Sequence, residues 1–242
     1  ILKRYNAQEL SSSHPLYHMT KRLCFKAGLE LPKLYIISDS VPNAFATGRN
    51  PANAAVALTT GLLDTLNDDE IAAVIAHELG HVRHYDILTG SIAAVFAGGI
   101  AILANFAQFG AMLGNNQNRQ NPLLIIALSI IMPLAATIIQ MSISRSREFE
   151  ADRFSASITN PNDLANALLK LEGSNAHTMV KNANEQTAHM FIISPFSGKN
   201  IASGISNLFR THPTTRQRVE RLNELSRHNK NYQNPARKYF NS

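Results

Sequence analysis

Cysteine is nearly missing from this chain: Cys24 is the single one in 242 residues. An intramolecular disulfide is therefore excluded, and the composition suits a reducing compartment. Cys24 itself reads as a small apolar residue on a helix, not as a nucleophile. There is no internal repeat, and no signal peptide is visible. No basic run alternates with aromatics and no nucleic-acid motif occurs, so nucleic acid is not an expected partner despite a net charge of +6. The most informative gap is in charge itself. Between Ile87 and Ser144 the only charged residue is Arg119.

Arg119 separates two apolar segments, Ser91 to Leu113 and Pro122 to Ile143, joined by the polar connector Gly114 to Asn121. Each exceeds the roughly 20 residues that a helix needs to cross a bilayer. Ala97, Ala101 and Ala104 share one face of the first, and with Ala127, Ala135 and Ala136 in the second they permit close helix contact. Pro133 is expected to kink the second, which a membrane helix tolerates. The reading is a transmembrane helical hairpin over 91–143, inserted into a single domain covering 1–242. Of the 23 Lys and Arg, 22 lie outside it, so the rest of the chain is expected on the cytoplasmic side of an integral membrane protein. A buried hairpin in a soluble protein is the weaker alternative, resting on Asn105, Gln108 and Gln140.

Around the hairpin the pattern is α+β and mainly helical. A first amphipathic helix is expected from Pro15 to Gly28, with Pro at its start and Gly as its cap. Strands are expected over 33–38, 43–47 and 54–60, with the turn at 48–53. They should form a small, mostly antiparallel sheet with an edge able to face the next helix. That helix, to about His84, is opened by the capping-box pair Asn67 and Glu70. Beyond the hairpin, a helix over 144–159 stops at Asn160-Pro161, and another over 161–172 ends at Gly173. A polar loop over 173–186, a strand over 190–193 and a helix over 214–226 with the stripe Val219, Leu222 and Leu225 complete the pattern. Residues past His228 read as a weakly ordered basic tail.

Within the helix opened by Asn67 stands His77-Glu78-Leu79-Gly80-His81. One helical turn separates the two imidazoles, which puts them on one face where they can share a metal ion, with Glu78 beside them as a general base. A catalytic zinc keeps three protein ligands and an open position. The best source of the third is Arg147-Glu148-Phe149-Glu150-Ala151-Asp152. Glu148 and Asp152 share a helical face, allowing Glu148 to bind the metal and Asp152 to orient a ligand. Glu150 points the other way and reads as a solvated charge. His84, at the end of the motif helix, reads as a surface residue.

Five motifs in order resemble the HtpX family of membrane metallopeptidases: N-A-F-A-T-G at Asn43 to Gly48, H-E-L-G-H, S-R-S-R-E-F-E-A-D ending at Asp152, T-A-H-M-F-I at Thr187 to Ile192, and L-F-R-T-H-P at Leu208 to Pro213. The likeness covers nearly the whole chain. It implies a zincin-type endopeptidase holding one Zn²⁺ on His77, His81 and Glu148, with Glu78 as catalytic base. It implies that Asp86 and Asp152 support the ligands and that His212 helps to stabilise the oxyanion. Polypeptide substrates, above all misfolded or damaged membrane proteins, are implied as partners together with the lipid bilayer, in stress-linked quality control at a bacterial inner membrane. Family members usually carry two further membrane helices upstream, and the start at Ile1 fits a chain from which they are missing. A CAAX-type prenyl-protein endopeptidase is the nearest alternative enzyme, and a zinc-stabilised membrane scaffold without activity is the third reading.

Overall fold

The capping box that the sequence predicts forms as written, and it opens helix α3 (Asp68–Arg83), which carries the two histidines. In the computed structural model, which describes residues 2–48, 50–113, 131, 143–177 and 213–233, Asn67 Oδ1 accepts from the Glu70 N–H at 2.9 Å. The Glu70 carboxylate in turn accepts from the Asn67 N–H at 3.0 Å. Asp68, Asp69 and Glu70 set negative charge against the positive end of the helix. Glu70 is buried and also accepts from Lys170 Nζ at 2.7 Å, which ties α3 to helix α6 (Pro161–His177). Ile71, Val74, Ile75 and Leu79 are buried with both motif residues His77 and Glu78.

Helix α1 (Pro15–Ala27) starts with proline and ends on Gly28 at φ 64°, as expected. Cys24 is buried on it, in the core. The sheet has four strands: β1 (Gln8–Glu9), β2 (Lys33–Ile37), β3 (Ala44–Thr47) and β4 (Ala55–Thr59), in spatial order β1-β2-β4-β3. β1 with β2 and β3 with β4 pair antiparallel, whereas β2 and β4 pair parallel with Leu34 opposite Val56. The sheet is thus mixed because the β3–β4 hairpin folds back and inserts β4 beside β2. β4 is buried at every residue, as the apolar run Ala-Val-Ala-Leu permits in a central strand. β3 is left as an edge, and it lies against α3. Val56 and Leu58 meet Val74, Ile75 and Leu79 of α3 in one hydrophobic core with Leu164 and Leu168 of α6.

Among the described residues, short elements that escape the sequence pattern include a 3-10 turn over Leu2–Tyr5. β1 is two residues long, and α2 (Thr60–Thr65) is one and a half turns begun by Thr59, whose hydroxyl accepts from the Leu62 N–H. Gly173 does not stop α6, which runs on to His177. The last helix, α7 (Thr215–Gln233), likewise continues past Ser226. The loop beyond 177, the strand over 190–193 and His212 lie outside the described residues.

Two compact units divide the described residues: one of 2–87, 147–177 and 213–233, the other of 88–113, 131 and 143–146. α4 (Asp86–Leu113) begins in the first and continues through the second, and helix α5 (143–158) returns to the first. Among the described residues no helix is long and apolar enough to cross a membrane, so the expected hairpin is not established. Helix α4 covers the segment expected as its first arm, with Val95, Phe96, Leu103 and Phe106 exposed. The second arm, over 122–143, falls almost wholly outside the described residues.

In the first unit α5 approaches α3 at Gly80. A Cβ there would stand 3.0 Å from Ala151 Cα and 3.2 Å from the Phe154 ring. Ser155 Oγ also donates to the Ala73 carbonyl at 2.7 Å, fixing the same pair of helices one turn further on. Ala151 is three residues after Glu148, so this close approach sets how far Glu148 stands from the histidines. Gly80→Val is expected to destabilise the chain by about 1–3 kcal/mol through overpacking and to weaken metal binding with it. Thermal unfolding and zinc titration check this, and an unchanged Tm with unchanged affinity would mean that Gly80 does not set the spacing.

Candidate metal centre

Three donor atoms from two helices converge in the first unit. His77 and His81 of α3 bring their Nε2 atoms to 3.1 Å from each other. Glu148 of α5 places Oε2 3.6 Å from His77 Nε2 and Oε1 3.6 Å from His81 Nε2. Among the described residues these three form the group able to hold a metal ion. Donors at about 2.0–2.1 Å from a tetrahedral zinc stand roughly 3.4 Å apart, so the observed triangle has the right size for that ion.

The chemistry of the donors agrees with their spacing. His81 Nδ1 lies 2.7 Å from Asp86 Oδ2, and His77 Nδ1 lies 3.0 Å from Asp152 Oδ1. Each carboxylate accepts from a ring Nδ1–H, which turns both Nε2 atoms into the same space. Two lone pairs and a carboxylate facing one another repel unless something positive lies between them. With no metal, a proton fills that role on His77. Burial and Arg218 both act to lower its pKa, but the hydrogen bonds to Asp152 and Glu148 outweigh them and push it up to about 9.

Asp86 reaches His81 because Tyr85 takes a left-handed backbone conformation, φ 55°, between α3 and α4. That conformation is uncommon for a residue with a side chain. Arg147 steadies the turn from α5: its guanidinium donates to the Asp86 carbonyl at 3.2 Å and lies 3.9 Å from the carboxylate. Asp152 is held harder. Arg218 of α7 donates to both its oxygens, at 2.6 and 2.9 Å, and Nη2 rests 3.3 Å from His77 Nδ1. Arg218 is 2% exposed. Burial alone would raise Asp152, but Arg218 and His77 prevail and hold its carboxyl below the usual range.

Glu78 is 4% exposed, and its Oε2 accepts from the Ala46 N–H of edge strand β3 at 2.7 Å. Burial raises its pKa, and the nearby Glu148 charge adds to the rise; His81, His77 and the Ala46 bond pull against it. Of the residues singled out in the sequence, His77, Glu78, His81, Asp86, Glu148 and Asp152 come together here, while His212 lies outside the described residues. Glu150 is exposed and paired with Arg153 at 3.1 Å, and His84 is exposed at the end of α3.

Arg218, Arg147 and Ala46 are participants that motif reading overlooks. For Arg218 a signal exists. Thr215, Arg218, Leu222 and Ser226 recur at helical spacing and are all buried, so an arginine stands on the inward stripe of α7 and must find a carboxylate there. Ala46 contributes only its backbone, which residue type does not reveal.

Residues 11–226 match the model of Peptidase family M48. The chain is 56% identical to the Protease HtpX homolog of Campylobacter hominis over 229 residues, covering 93% of this chain and 80% of that protein. It is 49% identical to the Protease HtpX of Legionella pneumophila over 231 residues, covering 93% and 81%. The crystal structure of S. mikatae Ste24p shares the fold, with a TM-score of 0.61 at 21% identity, over 91% of this chain and 52% of that one.

Metal and proton compete for the same atom of His77, so the apparent zinc affinity should fall as pH drops below about 9. Between pH 9 and 7 the expected slope is about tenfold per unit, with about one proton released per ion bound. Competition titrations against a chelating dye, repeated in buffers of different ionisation enthalpy, measure both. A flat profile with no proton release would contradict the protonated state of His77.

Proposed function

The chain belongs to peptidase family M48 and to its HtpX proteases, and we propose that this metallopeptidase is a zinc endopeptidase acting on misfolded or damaged membrane proteins from the cytoplasmic side. The observation that carries the chemistry is the convergence of two imidazole lone pairs and the Glu148 carboxylate beside the buried carboxylate of Glu78. When bound by His77, His81 and Glu148, zinc supplies a Lewis acid that polarises the scissile carbonyl and acidifies water.

The chain's own residues supply the rest. Ala46 fixes one oxygen of Glu78, leaving the other to take a proton from the attacking water. The raised pKa of Glu78 makes it a stronger base than an exposed carboxylate and a competent donor of that proton to the leaving amine. Asp86 and Asp152 hold the two rings in one tautomer and orientation. Arg218 keeps Asp152 charged, and His212, by its place in the family motif, is assigned to the developing oxyanion. The membrane assignment draws on the uncharged stretches around Arg119 and on the apolar side chains that α4 exposes. A protease joined to such segments meets substrates at the bilayer, which favours membrane proteins in quality control at a bacterial inner membrane.

Two measurements test this reading. Glu78→Gln should retain one zinc per chain while turnover of an unfolded protein falls by about 10²–10⁴; undiminished turnover in the metal-replete variant would sink the mechanism. The unaltered chain should cleave denatured casein and spare a farnesylated peptide, and the reverse preference would point to a prenyl-protein endopeptidase.

A further inference from the structure

An open cavity of about 620 Å³, lined largely by exposed side chains, lies between α5 and α7, a size typical of small-molecule sites. Its lining differs in kind from the metal centre. Arg153, Arg221 and Arg227 converge on it together with His228. The Phe149 ring and Leu222 give it an apolar wall. The guanidinium of Arg221 lies over that ring, 3.7 Å from its centroid, a stacking that leaves the in-plane N–H donors available.

Two carboxylates border the cavity, Asp152 and Glu224, and of these only Glu224 stands uncommitted against the arginines. Asp152 is committed to Arg218 and His77 on its other side by contacts of 2.6 to 3.0 Å. Glu224 forms no ion pair among the described residues, and neither do Arg221 and Arg227. Arg153 is paired with Glu150, but both are exposed and such pairs are worth little, so Arg153 can exchange that partner at small cost. The pocket therefore offers several guanidinium forks beside an aromatic surface. Planar forks of this kind match the oxygens of a phosphate group.

We propose that this pocket is a phosphate-binding site. It takes a phosphate ester whose charged head meets Arg153, Arg221 and Arg227 and whose apolar part lies on Phe149 and Leu222. An anionic phospholipid headgroup and a soluble phosphate present the same chemistry to it. Because Asp152 forms part of the wall, the occupant sits against the carboxylate that positions His77. The site is independent of the zinc reading, since binding here needs neither metal nor turnover.

The test titrates the full chain in neutral detergent by calorimetry, with inorganic phosphate and separately with dihexanoyl phosphatidylglycerol below its micelle concentration. Dihexanoyl phosphatidylcholine is the uncharged control. Saturable binding is expected, weakened at least about tenfold in Arg221→Gln/Arg227→Gln. It should be unchanged in Arg216→Gln, which alters an exposed arginine of the same helix that pairs with Glu220. Glu224→Gln removes the pocket's uncommitted carboxylate, should tighten binding several-fold, and keeps the proposal open to refutation if the double variant does not fold. Binding of phosphatidylglycerol alone identifies a lipid headgroup, and equal binding of inorganic phosphate identifies a soluble anion. The proposal is overturned by no saturable heat from either, by phosphatidylcholine binding as tightly as phosphatidylglycerol, or by equal binding in every variant.

Discussion

Two imidazole lone pairs held 3.1 Å apart with a carboxylate at 3.6 Å are the constraint on which the rest of this structure depends. The arrangement is unfavourable unless a cation occupies the space between the three donors. The protein nevertheless enforces it from behind, with Asp86 on one ring and Asp152 on the other. Those carboxylates are themselves buried and need partners of their own, so the demand passes outward to Arg147 and Arg218. Removing a partner from a buried ion pair costs about 3–5 kcal/mol, because a charge is left without compensation. The site is therefore one linked network drawn from α3, the start of α4, α5 and α7, and no ligand can be changed without disturbing the charge behind it.

The backbone serves the same end. The capping box fixes where α3 begins and hence which residues of its second half face α5. Gly80, one residue before His81, lets α5 come close enough for Glu148 to reach the histidines. The left-handed turn at Tyr85 brings Asp86 back onto His81 only five residues along the chain. Edge strand β3 reaches the centre through the Ala46 N–H, so strand and metal helix meet at the general base itself.

Much of this was legible in the sequence, for a physical reason. The ligands lie on helices whose ends are marked by local signals, Asn67 with Glu70 and Asn160 with Pro161, and helical spacing then states which side chains share a face. Helix α3, strands β2 to β4 and the pairing of Glu148 with Asp152 follow from such short-range rules. What escaped them depends on distant partners. Arg218 is 141 residues from His77, and only its place on the buried stripe of α7 marks it. The parallel pairing of β2 with β4 depends on where the β3–β4 hairpin docks, which alternation within a strand cannot tell. Gly173 suggests a stop, yet a glycine in a helix is only a modest cost of about 1 kcal/mol, and α6 continues through it.

Charge balance explains how a base can sit in such a place. Glu78, Asp86, Glu148 and Asp152 supply four negative charges within the network, and Arg147 and Arg218 supply two positive ones. Without metal, the proton on His77 makes up only part of the deficit, and burial together with the Glu148 charge holds the Glu78 carboxyl up. A dication held by His77, His81 and Glu148 would bring the sum to neutrality with both rings unprotonated. A cation held there would also offset the repulsion that Glu148 exerts on Glu78, leaving burial, the larger cause, to hold the Glu78 carboxyl up.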